Sequence, residues 1–425
     1  MKPITAVVLG AGSRGTIYAG YAKAHPEALQ IAAVAEPRAD RRTMLAEELH
    51  IPNCFASWQE LLAQPRMADC AFVCTMDDDH IGPAIRAMEL GYHVLLEKPM
   101  SNNEAQCRQI VDAANRTGRT LAVCHVLRYT PFYMTLKNLI DQGRIGEVTA
   151  INQIENVGYW HQAHSFVRGN WRNTAETSPM ILQKSCHDID ILQWLVGKEC
   201  KKIQSFGSLR YFVPENAPEG APEVCFEGNC PHEDTCLYSV KRLYKTNNPA
   251  FWFKHHVAEN ANPTDEELDN ALRNTRFGKC VYKCENDVVD HQIVNMEFED
   301  GLTVNFTMTA FANDGRQIRL MGTKGELFAN VHDKEATFFD YMSGKYTKLP
   351  LNISCVDDSI VGGHGGGDQG IIYDLYDYIN ENIDTKELSE IEISCKNHML
   401  VFAAEHSRLT GTVVDVDEFK KNYKI

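Results

Sequence analysis

The chain has 425 residues, more than one hydrophobic core normally serves, so two domains are expected. Its hydrophobic fraction of 44% and charged fraction of 23% are those of an ordinary globular protein. A formal net charge of -15, from 42 basic and 57 acidic side chains, repels phosphate backbones and argues against nucleic acid as a partner. No run of about 18 apolar residues occurs, so no membrane span is expected. The opening stretch, Met1 to Gly10, lacks a signal-peptide pattern and runs straight into a glycine turn. The expectation is a cytoplasmic protein with reduced thiols.

Residues 5–125 alternate strand and helix. Thr5–Gly10 is a continuous apolar run, the pattern of a strand buried on both faces. A helix is predicted over Ser13–His25, ended by Pro26. Further strands are predicted at Leu29–Glu36, Ala68–Met76, His93–Glu97 and Thr120–His125, with helical patterns at 79–91 and 103–117. This alternation implies parallel βαβ units in a doubly wound α/β sheet, with a dinucleotide domain over 1–126. Beyond it the texture changes to an α+β domain over 127–425. A helix is predicted at Pro131–Gly143, a long strand at Val148–Gly158 and a helix within Ser178–Gly197. From residue 291 alternating apolar and polar residues predict an open, mostly antiparallel sheet. Its strands include 293–298, 302–306, Arg316–Met321, Gly325–Asn330 and Ala336–Tyr341. Closing helices are predicted at Asp368–Asn382 and Asn397–Gly411. Residues 213–287, rich in Pro, Asn and Cys, read as an insertion.

Gly10-Ala11-Gly12-Ser13-Arg14-Gly15 is a G-x-G-x-x-G between a buried strand and a helix. Gly10 allows the tight turn, Gly12 lets the backbone approach a pyrophosphate, and Gly15 lets helix and strand pack closely. The helix start at Ser13 and Arg14 adds N–H groups and partial positive charge. Glu36 ends the second strand, 21 residues after Gly15, where an acid binds ribose hydroxyls and repels a 2′-phosphate. NAD is therefore favoured over NADP, although Arg38 could pair with such a phosphate. Ligands bind beyond the carboxyl ends of parallel strands, which places Thr75, His80, Glu97 and Lys98 at the cofactor edge.

Lys98 there can stabilise a developing alkoxide. His187, at the start of an amphipathic helix, can accept a hydroxyl proton, and Asp190 three residues on shares its face. Both residues also have bland readings, as a solvated lysine and a hydrogen-bonded capping histidine. Trp160, His161, His164, Arg168, Trp171 and Arg172 form a cluster suited to stacking on and gripping a sugar ring, or else a surface loop with core aromatics, and Tyr159 beside it is a further candidate substrate contact. The glycine-rich stretch Gly362–Gly367 before Asp368 suggests close backbone approach to a ligand, or a linker with a helix cap.

These features together resemble the Gfo/Idh/MocA oxidoreductase family. The resemblance rests on the glycine turn with Glu36, Glu97-Lys98-Pro99, His125-Val126-Leu127-Arg128-Tyr129, the His187-x-x-Asp190 helix, Gly322–Glu326 and Ala403–Ser407. It implies a Rossmann domain and an open-faced sheet domain that often mediates oligomerisation, here a homodimer or homotetramer. It implies catalytic roles for Lys98 and His187, and substrates that are sugars, sugar derivatives or inositols. Arg128 and Gln183 join the expected substrate contacts. One departure stands out: the family often carries Asp four residues before the histidine, where this chain has Gln183 followed by Lys184. Gln cannot serve as a base, and Lys184 adds positive charge, so either the proton path differs or the substrate carries an anionic group.

Cys225, Cys230, Cys236, Cys280 and Cys284 fall within 60 residues of the insertion. Clustered thiols in a reducing compartment predict a structural site, four of the five holding zinc or, less in keeping with the spacing, an iron–sulfur cluster. The expected function is hydride transfer between NAD and a hydroxyl of a sugar, glycoside or inositol. Two alternatives are a redox-assisted glycosidase or lyase working through a transient keto-sugar, with Tyr159 or His161 as the added base, and a sensor that only binds sugar or NAD.

Overall fold

The computed structural model describes residues 2–246, 250, 253–260, 262–351, 364–380 and 391–423. Gly362, Gly363 and the end of the helix expected over Asp368–Asn382 lie outside these residues.

Six strands form a parallel sheet: β1 (Ile4–Leu9), β2 (Leu29–Ala35), β3 (Asn53–Phe55), β4 (Cys70–Val73), β5 (His93–Leu96) and β6 (Leu121–Val123). Their order, β3-β2-β1-β4-β5-β6, is the doubly wound arrangement with its switch point between β1 and β4. Apolar residues run continuously because each strand buries both faces. Val7, Leu9, Val73 and Leu96 face the layer of the helix Glu104–Thr117. Val8, Phe72 and Leu95 face the opposite layer, with Tyr18 of the helix Ser13–Ala24. That second layer also holds Ile371, Ile372 and Leu375 of the helix Gly367–Ile379, so the chain returns late to cover the first sheet.

The second sheet has nine strands: β7 (Val148–Val157), β8 (Cys200–Ser208), β9 (His291–Phe298), β10 (Thr303–Thr309), β11 (Asp314–Gly322), β12 (Gly325–Asn330), β13 (Glu335–Asp340), β14 (Lys345–Pro350) and β15 (Val414–Asp415). Its order is β14-β13-β12-β11-β7-β10-β9-β8-β15, and only β7 and β10 pair in parallel. Period-two alternation buries Val294, Met296 and Phe298 of β9 against the helices Cys186–Val196 and Ile391–Thr410. Among the described residues, the opposite face leaves Phe206, Ile293 and Ile154 exposed. In register across it stand Phe206, Ile293, Thr307 and Ile154.

Beyond β3, β14, β15 and the helix Ala39–Leu49, which the sequence reading lacked, three further regions differ from expectation. The helix expected within Ser178–Gly197 is two helices, Met180–Gln183 and Cys186–Val196, because Ser185 leaves helical geometry at φ -95° and ψ 3°. The strand β8 was hidden by Lys201, Lys202 and Gln204, which blur its alternation. Residues 213–287 hold a core of their own, with Phe226, Leu243, Tyr244, Leu268 and Leu272 buried together.

The metal staple expected from the cysteines is not shown. Among the described residues, no three His, Cys, Asp or Glu side chains stand so as to hold a metal ion, zinc and iron–sulfur ligation included. Cys225, Cys230, Cys236 and Cys280 do line one small void, and Cys284 packs nearby as a free thiol. Burial pushes the Cys225, Cys236, Cys280 and Cys284 thiols up.

Candidate active site

The carboxyl ends of the parallel strands and the ends of the central strands β7 and β11 of the second sheet enclose a cavity of about 480 Å³, the size of a small-molecule site. Lys98, from the loop after β5, and His187, from the first turn of its helix, both line it.

The loop is pinned from below. The Glu97 carboxylate accepts from the Lys98 backbone N–H at 2.9 Å, from Arg14 Nε at 2.7 Å and from the Tyr18 hydroxyl at 2.7 Å. Burial alone would raise the Glu97 pKa, but Arg14 and Lys98 outweigh it and hold it low. The Lys98 ammonium donates to the Gln183 carbonyl at 2.6 Å. Gln183 ends its short helix, so that carbonyl has no onward partner in the helix. Gln183 therefore acts on Lys98 through its main chain.

His187 is 5% exposed. Burial pushes its pKa well below the ordinary value, and Lys98 and His364 push it the same way, so the imidazole is neutral at pH 7. Asp190 does not orient this ring. Its carboxylate is gripped by Arg128 at 2.7 and 2.6 Å and by Asn397 at 2.7 Å. Arg128 is thereby a buried structural partner outside the cavity lining.

Lys184 lines the cavity, but its charge is compensated: Nζ lies 3.1 Å from the Glu155 carboxylate. Glu155 also meets Arg316 at 2.8 Å, and Arg316 pairs with Asp188 at 2.8 and 3.2 Å. Glu155 of β7 and Arg316 of β11 stand directly opposite each other in the ladder. Neither residue was expected here. The signal was present: Glu155 shares a strand face with Ile151 and Val157, and Arg316 with Ile318 and Leu320, so both charges fall on buried faces.

Trp160, His161 and Trp171 line the cavity, together with Phe253 from the segment 213–287. The Trp160 and Trp171 indole nitrogens are buried without a hydrogen-bond partner. Tyr159, Arg168 and Arg172 fall outside the lining. Tyr159 packs edge-on to Tyr238, with ring centroids 6.3 Å apart. Arg168 is fully buried and donates to the carbonyls of Lys279 and Tyr238 at 2.9 and 3.0 Å. Arg172 pairs with Glu176 at 2.8 Å. One group came from the glycine-rich stretch: His364 lines the cavity with its ring 5.9 Å from that of His187, and Asp368 lies 3.0 Å from its Nδ1.

At the other end, the glycine turn has the shape a dinucleotide needs. A Cβ at Gly10 would lie 2.4 Å from the Cys74 carbonyl, and one at Gly15 1.9 Å from the Gly10 carbonyl. A Cβ at Gly12 would meet nothing nearer than Arg41 Nη1 at 3.9 Å, which leaves a cradle above the start of the helix that begins at Ser13. Glu36 is held in place by the Ala11 and Arg38 backbone N–H groups at 2.8 and 2.9 Å. Its remaining lone pairs suit two ribose hydroxyls. Thr75, His80 and Arg14 line the cavity beside it. His80 ties the loops together, its ring nitrogens 2.7 Å from the Pro99 carbonyl and 3.2 Å from that of Thr75. Arg14 pairs with Asp368 at 3.0 and 2.5 Å, closing the helix Gly367–Ile379 onto the turn.

A doubly wound sheet with this turn and a lysine–histidine cavity is the architecture of a nicotinamide-dependent oxidoreductase. The chain belongs to the Gfo/Idh/MocA oxidoreductase family: residues 4–125 match its NAD-binding Rossmann fold and residues 137–342 its C-terminal alpha/beta domain. YteT of Bacillus subtilis is 24% identical over 78% of this chain and 77% of its own length. An inositol 2-dehydrogenase of Streptomyces avermitilis is 30% identical over 50% of this chain and 58% of its own. A levoglucosan dehydrogenase solved with NADH and levoglucosan shares the fold, with a TM-score of 0.69 at 16% identity over 98% of this chain and 100% of that one.

Proposed function

We propose that this protein is an NAD-dependent dehydrogenase acting on a hydroxyl of an uncharged sugar, glycoside or inositol. Residues 1–126 would hold the dinucleotide and 127–425 the substrate. The observation that carries the reading is the meeting of Lys98 and His187 in one cavity that Arg14 of the glycine turn, Trp160 and Trp171 also line. NAD, when bound, supplies the two-electron acceptor. The neutral His187 imidazole takes the substrate's hydroxyl proton. The Lys98 ammonium, aimed by the Gln183 carbonyl, donates to the same oxygen as its charge develops. Trp160 and Trp171 offer ring faces for stacking. Glu155 neutralises Lys184, which favours an uncharged substrate over an anionic one.

A panel of glycosides and inositols with NAD, reading NADH and released aglycone together, tests the reading. Accumulating NADH supports it. No NADH and no aglycone from any member, with NAD bound, counts against it. A second reading, redox-assisted cleavage of a glycoside, is favoured by His364, which Asp368 orients beside His187 as an additional base. It predicts aglycone release without net NADH. The lysine–histidine pair counts against a sensor that only binds. The row Phe206, Ile293 and Ile154 on the open sheet face favours a homo-oligomer, and the free described thiols suit a reducing cytoplasm.

A further inference from the structure

We propose that Glu259, in the segment 213–287, selects NAD against NADP by holding Arg38 away from the adenosine ribose; this rests on the dinucleotide reading above. Arg38 follows the ribose acid Glu36 by two residues, where a guanidinium could grip a 2′-phosphate. In the structure each of the three guanidinium nitrogens is engaged elsewhere. Nε and Nη2 donate to the Asp40 carboxylate at 3.2 and 2.5 Å. Nη2 also donates to the Glu259 backbone carbonyl at 2.9 Å, and Nη1 lies 3.1 Å from the Glu259 carboxylate. Glu259 thus turns both its polar groups to one side chain. It does so from a left-handed backbone at φ 53°, a conformation a non-glycine residue adopts where its surroundings demand it.

The charges explain the selection. Asp40 and Glu259 set two negative charges against the one of Arg38, so its guanidinium has no surplus charge to offer a 2′-phosphate, while Glu36 keeps its carboxylate for ribose hydroxyls. A ribose hydroxyl donates into that corner, whereas a 2′-phosphate is repelled and finds no open guanidinium edge. The neighbouring arginines are placed otherwise. Arg42 donates to the Glu36 and Pro37 carbonyls, and Arg41 lies over the Gly12 cradle, where a pyrophosphate belongs. A segment of the substrate half therefore reaches across the molecule to the cofactor's adenosine end. Glu259 acts through Arg38 and is a positioning residue.

The test titrates NADH and NADPH into the full chain, as wild type, Glu259→Ala and the double variant Arg38→Ala/Glu259→Ala. Wild type is expected to bind NADH the more tightly. Glu259→Ala should narrow the gap by about five- to tenfold, chiefly through tighter NADPH binding. The double variant should restore the wide gap, which a merely structural role for Glu259 would not produce. An unchanged NADH-to-NADPH ratio in Glu259→Ala, or a gap that stays narrow in the double variant, overturns the proposal. So does a wild type that prefers NADPH. A wild type that binds neither dinucleotide overturns the underlying site reading as well, and separates the two failures.

Discussion

His187 shows how one side chain acquires its chemistry from its surroundings. An exposed histidine is half protonated near pH 6.5, but burial and the nearby Lys98 ammonium disfavour the imidazolium here. The group is therefore ready as a base throughout the neutral range. The sign follows: a lowered pKa leaves the base form intact as pH falls through 6.5, so the acid limb of kcat/KM lies below 6.5. A limb at or above that value would show that His187 is not the base. Lys98→Ala and His187→Ala should each lower kcat by about 10²- to 10⁴-fold while NADH still binds, as fluorescence titration would show. Lys184 teaches the complementary lesson. Its charge, conspicuous in the sequence, is cancelled by Glu155 from a strand about 30 residues earlier.

At the scale of elements, the helix Cys186–Val196 carries two separate tasks. Its first turn presents His187 to the cavity, while Asp190, three residues on, anchors it to Arg128 and Asn397. Removing one partner of a buried, bidentate pair leaves an uncompensated charge. Asp190→Asn is thus expected to cost about 3–5 kcal/mol in a urea unfolding experiment. A loss below about 1 kcal/mol would mean the Arg128 guanidinium finds another partner. The break before this helix matters too. A continuous helix over 178–197 would bury the Gln183 carbonyl in its own ladder and leave the Lys98 ammonium without its aim.

At the scale of the whole molecule, the nine-stranded sheet is covered by helices on one face, and among the described residues its other face is exposed. Phe206 and Ile293 pair across that face and Thr307 separates Ile293 from Ile154, the three apolar side chains being exposed at 51%, 36% and 36%. Exposed apolar residues lined up across one sheet face are what two copies bury when they pair. Phe206→Asp combined with Ile293→Asp should shift the protein to a monomer in light scattering. A wild type that is already monomeric at micromolar concentration would remove this expectation.

The sequence by itself determined five of the six strands of the first sheet, the glycine turn, Glu36 and the placement of Lys98 at a strand end. These are local properties: a strand buried on both faces and a G-x-G-x-x-G declare themselves within one βαβ unit. It also showed alternation in β9 through β13. Only the tertiary structure decided the rest. Asp190 belongs to Arg128 and not to His187, Lys184 to Glu155, and Arg38 to Glu259, because charges are settled by whichever partners folding brings within about 4 Å. The cysteine spacing was legible, but the aromatic core that holds that segment was not, since Phe226, Tyr244 and Leu272 lie far apart in the chain and meet only when it folds.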